Sequence, residues 1–367
     1  MTEGHLQLTD DTTLLIVDDS ALYRQAISNA LRDEAGVSVV GLAKDGVEAL
    51  QKIEELDPDL LTLDVQMPGM DGIGVLREMN KRRLRPKAIM VSSLTSESAQ
   101  VTTDALLEGA FDFILKPSGG DAAGNHRQLR DALTEKINAF RQANGRIARR
   151  TRRAPAPDTT APQGIACKAV LVGTSTGGPA ALKAVLPRLS ADLAVPVLVV
   201  QHMPPQYTKS LAKRLDELCP LQVSEASSGA EVRPGCVLIA PGGRHMKVAR
   251  RDGRVLVRIS DDPQEHGCRP SVDYLFRSAV EAFDGNALGV IMTGMGRDGV
   301  AGCTELKRRG GYVIAQHEDG CLVYGMPKAV IEAGAADRVL TLENLGTAIG
   351  RFVEQSHRRE RSVQTGN

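Results

Sequence analysis

The sequence predicts an α/β protein of two doubly wound domains, each built on a mostly parallel sheet covered by helices. Three observations carry this prediction. Short apolar runs alternate with amphipathic stretches through the first third of the chain and again from Lys168 onward, the pattern of successive βα units. Between the two series, residues 149–164 read RRTRRAPAPDTTAPQG and hold almost no large apolar residue. Such a segment cannot bury a core of its own and reads as a semi-extended linker. The length, 367 residues, suits two or three domains, each with its own core.

The elements follow in order. Residues 12–142 form the first domain, with buried strands at 14–17, 37–42, 60–65, 88–92 and 111–115. Helical patterns at 22–31, 47–56 and 73–79 lie between them, and an amphipathic stretch at 129–140 closes a flavodoxin-like, five-stranded sheet. Residues 143–164 are the Arg/Pro-rich linker. The second, larger domain, 165–355, is Rossmann-like, with strands at 169–172, 195–200, 237–240, 288–292 and 312–315. Helical patterns at 180–186, 207–215, 272–282 and 303–308 separate them. Residues 246–248 and 255–259 form a β-hairpin, because Asp252-Gly253 suits a tight turn. Residues 356–367 are a polar C-terminal tail. No internal repeat appears.

Composition excludes several classes. No apolar run approaches the ~20 residues of a membrane-spanning helix. The N-terminus, MTEGHLQLTDD, is acidic and lacks a basic-then-apolar signal segment, so a cytoplasmic location is expected. Six cysteines between Cys167 and Cys321 form no C-x-x-C pair, which argues for reduced thiols rather than a disulfide framework or zinc. Basic and acidic residues balance at 45 each, so no chain-wide field for nucleic acid exists. The local exception is Arg141, Arg146, Arg149, Arg150, Arg152 and Arg153, read as a solvated helix end entering the linker.

The first domain carries an acidic cluster. Strand one ends in Asp18 and Asp19, strand three in Asp64 followed by Gln66, strand four in Ser92, and strand five in Lys116-Pro117. Parallel strands converge on one edge at their carboxyl ends. Three carboxylates there repel one another unless a divalent cation joins them, and oxygen ligands suit Mg²⁺. The order D-D, D, S, K-P resembles the receiver domain of two-component response regulators over residues 12–142. The resemblance implies Asp64 as phospho-acceptor, and Asp18, Asp19, Asp64 and the Gln66 carbonyl as Mg²⁺ ligands. It implies Ser92 and Lys116 as phosphate contacts, with Phe111 or Phe113 in the switch. Singly, Asp18, Asp19 or Asp71 could be a helix cap; five matches at strand ends favour the receiver.

The second domain carries a nucleophile pattern. In Gly173-Thr174-Ser175-Thr176-Gly177-Gly178-Pro179, a serine between glycines sits at a strand-to-helix turn, where its hydroxyl can project. Glycine-rich turns also merely bind phosphate, so the serine needs a base beside it. Of seven histidines, His202 directly follows a buried strand and reaches the same sheet edge as Ser175. Asp298, in Thr293-Gly294-Met295-Gly296-Arg297-Asp298-Gly299, is the candidate orienting acid, with a helix cap as its ordinary alternative. VGTSTGGP, QHMPP, APGGRHM and MTGMGRDG together resemble the chemotaxis-specific protein-glutamate methylesterase family, which spans roughly residues 12–352 with its receiver first. The resemblance implies a serine hydrolase with Ser175 as nucleophile, His202 as general base and Asp298 as orienting acid. Backbone N–H groups near Thr176 or Met295 would hold the oxyanion.

The implied activity is demethylation of glutamate methyl esters on methyl-accepting chemoreceptors, with deamidation of receptor glutamines and no cofactor for ester hydrolysis. A chemotaxis histidine kinase would supply the phosphoryl group, and the unphosphorylated receiver would cover the esterase cleft. Two other output classes have some support in the sequence. Gly294-x-Gly296-x-x-Gly299 with Glu318 and Asp319 about 20 residues on fits a dinucleotide fingerprint, but explains neither Ser175 nor His202. A DNA-binding output domain conflicts with the neutral charge and strand-rich pattern.

Overall fold

The computed structural model describes residues 11–147 and 166–364. The chain divides into two compact units, Met1–Gly145 and Arg146–Asn367.

The first unit alternates strand and helix: β1 (Thr12–Val17), α1 (Ala21–Leu31), β2 (Val37–Ala43), α2 (Gly46–Leu56), β3 (Leu60–Asp64), α3 (Gly72–Arg82), β4 (Lys87–Ser92), α4 (Ser96–Leu107), β5 (Asp112–Leu115) and α5 (Ala122–Ile147). Among the described residues its sheet has five strands in the order β2-β1-β3-β4-β5, every pair parallel. Leu14, Leu15, Ile16, Leu60, Leu61, Leu63, Ile89 and Met90 are fully buried, as the strands of a sheet covered on both faces must be. The helices start on side-chain caps: Ser20, Asp45, Asp71 and Thr95 each accept a first-turn N–H. Asp71 is thus a cap.

Helix α4 carries no clear apolar stripe in the sequence. It is rich in Ser and Thr, yet Ser98, Thr102 and Thr103 are buried, with hydroxyls bonded to those of Ser92, Ser93 and Thr95 ahead of the helix or to carbonyls of the preceding helical turn. Helix α5 buries Leu129, Leu133, Ile137 and Phe140 and then runs on to Ile147, past residue 142, where the sequence places the linker's start. Arg141 still belongs to this unit, donating to the Ala35 carbonyl. Most of the expected linker, with Arg149, Arg150, Arg152 and Arg153, lies outside the described residues.

The second unit contains β6 (Ala169–Thr174), α6 (Gly178–Val185), β7 (Val197–Gln201), α7 (Tyr207–Asp216), β8 (Gln222–Glu225), β9 (Cys236–Ile239), β10 (His245–Arg251), β11 (Arg254–Ser260), α8 (Val272–Ala282), β12 (Ala287–Ile291), α9 (Val300–Arg308), β13 (Tyr312–Gln316), α10 (Met326–Glu332), β14 (Arg338–Leu340) and α11 (Leu342–Gln364). Its main sheet, seven-stranded among the described residues, runs β14-β13-β12-β6-β7-β9-β8, all parallel. Antiparallel β10 and β11 form the hairpin, and Asp252 and Gly253 take the left-handed conformation that its turn needs. The two short edge strands β8 and β14 escape the sequence pattern because neither is a continuous apolar run. Residues 356–364 correct the expected tail: they continue α11, and buried Ser356 accepts a hydrogen bond from the Cys167 N–H. A buried hydroxyl that satisfies a strand's approach ties that helix to the domain.

Strand β6 is the point at which the order reverses. From it the chain winds one way through β7 and the other way through β12. Crevices for ligands open at the carboxyl ends of strands at such a switch.

Candidate active site

Ser175 follows β6, His202 follows β7, and Asp298 lies in the turn between β12 and α9. The three positions expected to act together therefore leave three adjacent strands at the switch point. Backbone bonds stitch the loops: the His202 N–H donates to the Thr174 carbonyl at 3.1 Å, and the Ser175 N–H to the Thr293 carbonyl at 3.0 Å. The buried Gln201 amide donates to the carbonyls of both Ser175 and His202, at 2.9 and 3.2 Å. Gly178 and Gly294 permit the close approach. A Cβ on Gly178 would collide with the Gln201 amide, and one on Gly294 would stand 2.8 Å from the Ser175 Cβ.

His202 Nε2 and Asp298 Oδ2 are 2.9 Å apart. Asp298, 2 % exposed, receives three further hydrogen bonds: Val272 N–H to Oδ2 at 2.7 Å, and Ser271 Oγ and Asp273 N–H to Oδ1, each at 2.9 Å. The first-turn N–H groups of α8 thus point at its carboxylate, where the helix dipole favours negative charge. Burial by itself would raise its pKa, but the His202 bond and charge and the backbone donors hold it below the ordinary carboxylate value. Burial likewise disfavours a charged His202, yet Asp298 and then Cys268 outweigh it and raise the imidazole to about 9.

The other ring nitrogen, Nδ1, lies 3.7 Å from the Cys268 Sγ. Ser175 is partly exposed in an otherwise buried turn, and its hydroxyl has no hydrogen-bond partner among the described residues. The structure therefore joins His202 to Asp298 and ties the Ser175 turn to the His202 backbone, without a Ser175–His202 hydrogen bond. Thr176 is buried and Met295 half-buried on the neighbouring turns. The Met295 N–H has no partner among the described residues.

Sequence reasoning missed Ser271 and Cys268. Ser271 stands directly before the apolar pattern of α8, a readable cap signal. Nothing in the sequence sets Cys268 apart; the turn through His266 and Gly267, both with positive φ, brings it in. His245 is fully buried against the Tyr274 ring, and His266 bonds Asp273.

In the first unit, the carboxylates of Asp18, Asp19 and Asp64 offer ligand atoms all within 4.8 Å of one another. This all-oxygen set fits a hard divalent cation such as Mg²⁺. Lys116 Nζ lies 2.9 Å from Asp18 and 2.8 Å from Asp64, over the Tyr23 ring. Burial raises the Asp64 pKa, and Lys116 and the Gln66 N–H only partly offset that rise. Burial lowers and the two carboxylates raise the pKa of Lys116, with a net rise. The buried Ser92 hydroxyl accepts from Thr102 of α4 at 2.8 Å. Phe111 and Phe113 are both buried, Phe111 packing edge-on to Phe140. No helix among the described residues is long and apolar enough to cross a membrane.

Comparison with known proteins agrees with both halves. The family model described as CheB methylesterase matches residues 170–349, and that of the response regulator receiver domain matches residues 14–124. A protein-glutamate methylesterase/protein-glutamine glutaminase of Desulfotalea psychrophila is 43% identical, over 93% of this chain and 98% of its own length. One so named from Archaeoglobus fulgidus is 42% identical, again over 93% and 98%. The crystal structure of the Thermotoga maritima CheB methylesterase catalytic domain superposes with a TM-score of 0.50 at 42% identity, covering 52% of this chain and 99% of that one. Two strand-end sites on two parallel sheets, matched along nearly the full length of such relatives, lead to one assignment: the chain belongs to the protein-glutamate methylesterase/protein-glutamine glutaminase family, with an N-terminal response regulator receiver domain.

Proposed function

We propose that the chain is a phosphorylation-regulated serine hydrolase of chemotaxis. It demethylates glutamate γ-methyl esters on chemoreceptors, releasing methanol, and deamidates receptor glutamines by the same route. The observation that carries this reading is the 2.9 Å pair of His202 and buried Asp298 beside a serine hydroxyl with no internal partner.

Asp298 engages Nε2, so Nδ1 is the nitrogen left to take the Ser175 proton. A thiol 3.7 Å away is a weak partner that can give way. The Ser175 oxygen bonds to the ester carbon, and the carbonyl electrons move to an oxyanion facing N–H groups near Thr176 and Met295. Each such donor is typically worth ~10²–10³ in rate. On collapse, the ester C–O bond breaks and methanol leaves with the proton from His202. Water, deprotonated by His202, then adds to the acyl-enzyme; glutamate departs and Ser175 regains its proton. With a glutamine, ammonia leaves in place of methanol. The dinucleotide reading loses its basis, since Gly294 serves close packing against Ser175.

In the receiver, Asp64 is the proposed phospho-acceptor, and Asp18, Asp19, Asp64 and the Gln66 carbonyl would hold Mg²⁺. That ion, when bound, supplies positive charge to the phosphoryl oxygens. Lys116 supplies a second charge and Ser92 a hydroxyl contact. A chemotaxis histidine kinase is the proposed donor, and phosphorylation shifts the population toward the active esterase. The test is methanol release from methylated receptor membranes with and without a phosphodonor. Stimulation that vanishes in Asp64→Asn, and release that vanishes in Ser175→Ala, are expected. Near-normal release by Ser175→Ala would defeat the triad.

A further inference from the structure

We propose that Ser271 is a positioning residue for the hydrolysis, acting through Asp298. This rests on the assignment of Asp298 as the orienting acid. Ser271 is 1 % exposed and its hydroxyl has two jobs. It caps α8 by accepting from the Tyr274 N–H at 3.3 Å, and it donates to Asp298 Oδ1 at 2.9 Å. A hydroxyl has one proton, and here that proton goes to the carboxylate.

The geometry explains why this donor matters. His202 and Val272 both bond Oδ2, whereas Oδ1 is held by Ser271 and the Asp273 N–H. The carboxylate plane is therefore fixed from both oxygens, and the imidazole ring takes its direction from that plane. Without the Ser271 proton, Oδ1 keeps one donor. The carboxylate can then tilt, and the imidazole ring of His202 loses its fixed orientation. The remaining charge on the carboxylate also binds the His202 proton more tightly, so the base becomes free only at higher pH. The other titratable groups near this carboxylate are Cys268 beside His202, Asp273 and Arg277 of α8, Cys303 of α9, and His266, which bonds Asp273 and also brings a ring nitrogen within 4.8 Å of an Asp298 carboxylate oxygen.

The test compares Ser271→Ala, Ser271→Gly and Ser271→Thr in the full chain, by methanol release across pH, with thermal unfolding to verify folding. Gly is a tolerable helix cap and Ala a poor one, so stability separates these two. Neither can donate to Asp298, so both should lose kcat by about tenfold to a hundredfold. Their acidic limbs should move to higher pH, while Thr restores both rate and profile. Wild-type kcat and pH profile in Ser271→Gly would overturn the proposal, and so would a kcat that merely tracks stability across the three variants. If Gly and Ala fail to fold, Ser271→Cys provides a weak donor of similar size, and an unchanged profile there would overturn it equally. Asp298→Asn runs alongside. Its retention of activity would remove the orienting-acid assignment itself, whereas an inactive Asp298→Asn with a normal Ser271→Gly would remove Ser271 alone.

Discussion

Asp64 in the receiver and Asp298 in the esterase domain invite comparison, because each is a buried carboxylate at the carboxyl edge of a parallel sheet. Their side chains are 7 % and 2 % exposed. Burial is the largest influence on both, and it raises both pKa values, yet the net shifts have opposite sign. Asp298 collects four hydrogen-bond donors within its own domain and stays ionised. Asp64 shares one lysine with Asp18, and a neighbouring negative charge adds to its cost. Equal burial therefore yields different chemistry according to the donors supplied. The esterase carboxylate is complete by itself and can orient a base. The receiver carboxylate is left short of positive charge, which suits a group that must accept a cation and a phosphoryl group from outside.

The hardest test of this contrast is Asp298→Asn. An amide cannot stabilise the imidazolium or fix its tautomer, and a loss of about 10⁴ in kcat is expected from steady-state methanol release. A loss below tenfold would break the comparison, since Asp298 would then be no more than a cap for α8. Next in size is Lys116→Met. Removing the cation shared by Asp18 and Asp64 should destabilise the receiver by about 3–5 kcal/mol at pH 7. Unpaired buried carboxylates titrate at raised pKa, so the deficit should shrink as the pH falls toward 4. Calorimetry of the full chain, following the receiver transition, measures both.

A third expectation concerns His202. Its pKa rises from 6.5 in the unfolded chain to about 9 in the fold, so the protonated form is the stabilised one. That stability is fully present below pH 6.5 and is lost as the pH rises through about 9. The proposed mechanism needs neutral His202 as the base, so kcat/KM should climb over the same interval. Opposite trends of esterase-domain melting temperature and rate between pH 6.5 and 9 would sharpen the picture; parallel trends would break it. The smallest effect is Cys268→Ala. Because the thiol supports the charged imidazole after Asp298 does, its loss should lower the His202 pKa by less than Asp298→Asn lowers it. Imidazole NMR titration of the two variants gives the order.

The sites were legible in sequence to different depths. Receiver anchors fall at successive strand ends, where a parallel sheet must bring them to one edge. Ser175, His202 and Asp298 could be chosen because glycine-rich turns and a buried strand mark their positions. Ser271 and Cys268 lie in a loop whose path depends on the turn through His266 and on where α8 begins. Helix α4 was hidden for a related reason: Ser98, Thr102 and Thr103 share its buried face with Ala99, Ala105 and Leu106, and only bonds to hydroxyls and carbonyls from neighbouring residues allow those hydroxyls to be buried.

The sequence by itself determined two α/β domains, the strands that lead into the proposed reactive groups, and the edge at which those groups emerge. Periodicity and turn chemistry are local, and these features follow from them. The tertiary structure decided which nitrogen of His202 meets Asp298, what the other nitrogen faces, and how many donors each buried carboxylate receives. Those are properties of side chains brought together from distant segments, and a carboxylate's charge inside a protein depends on that company.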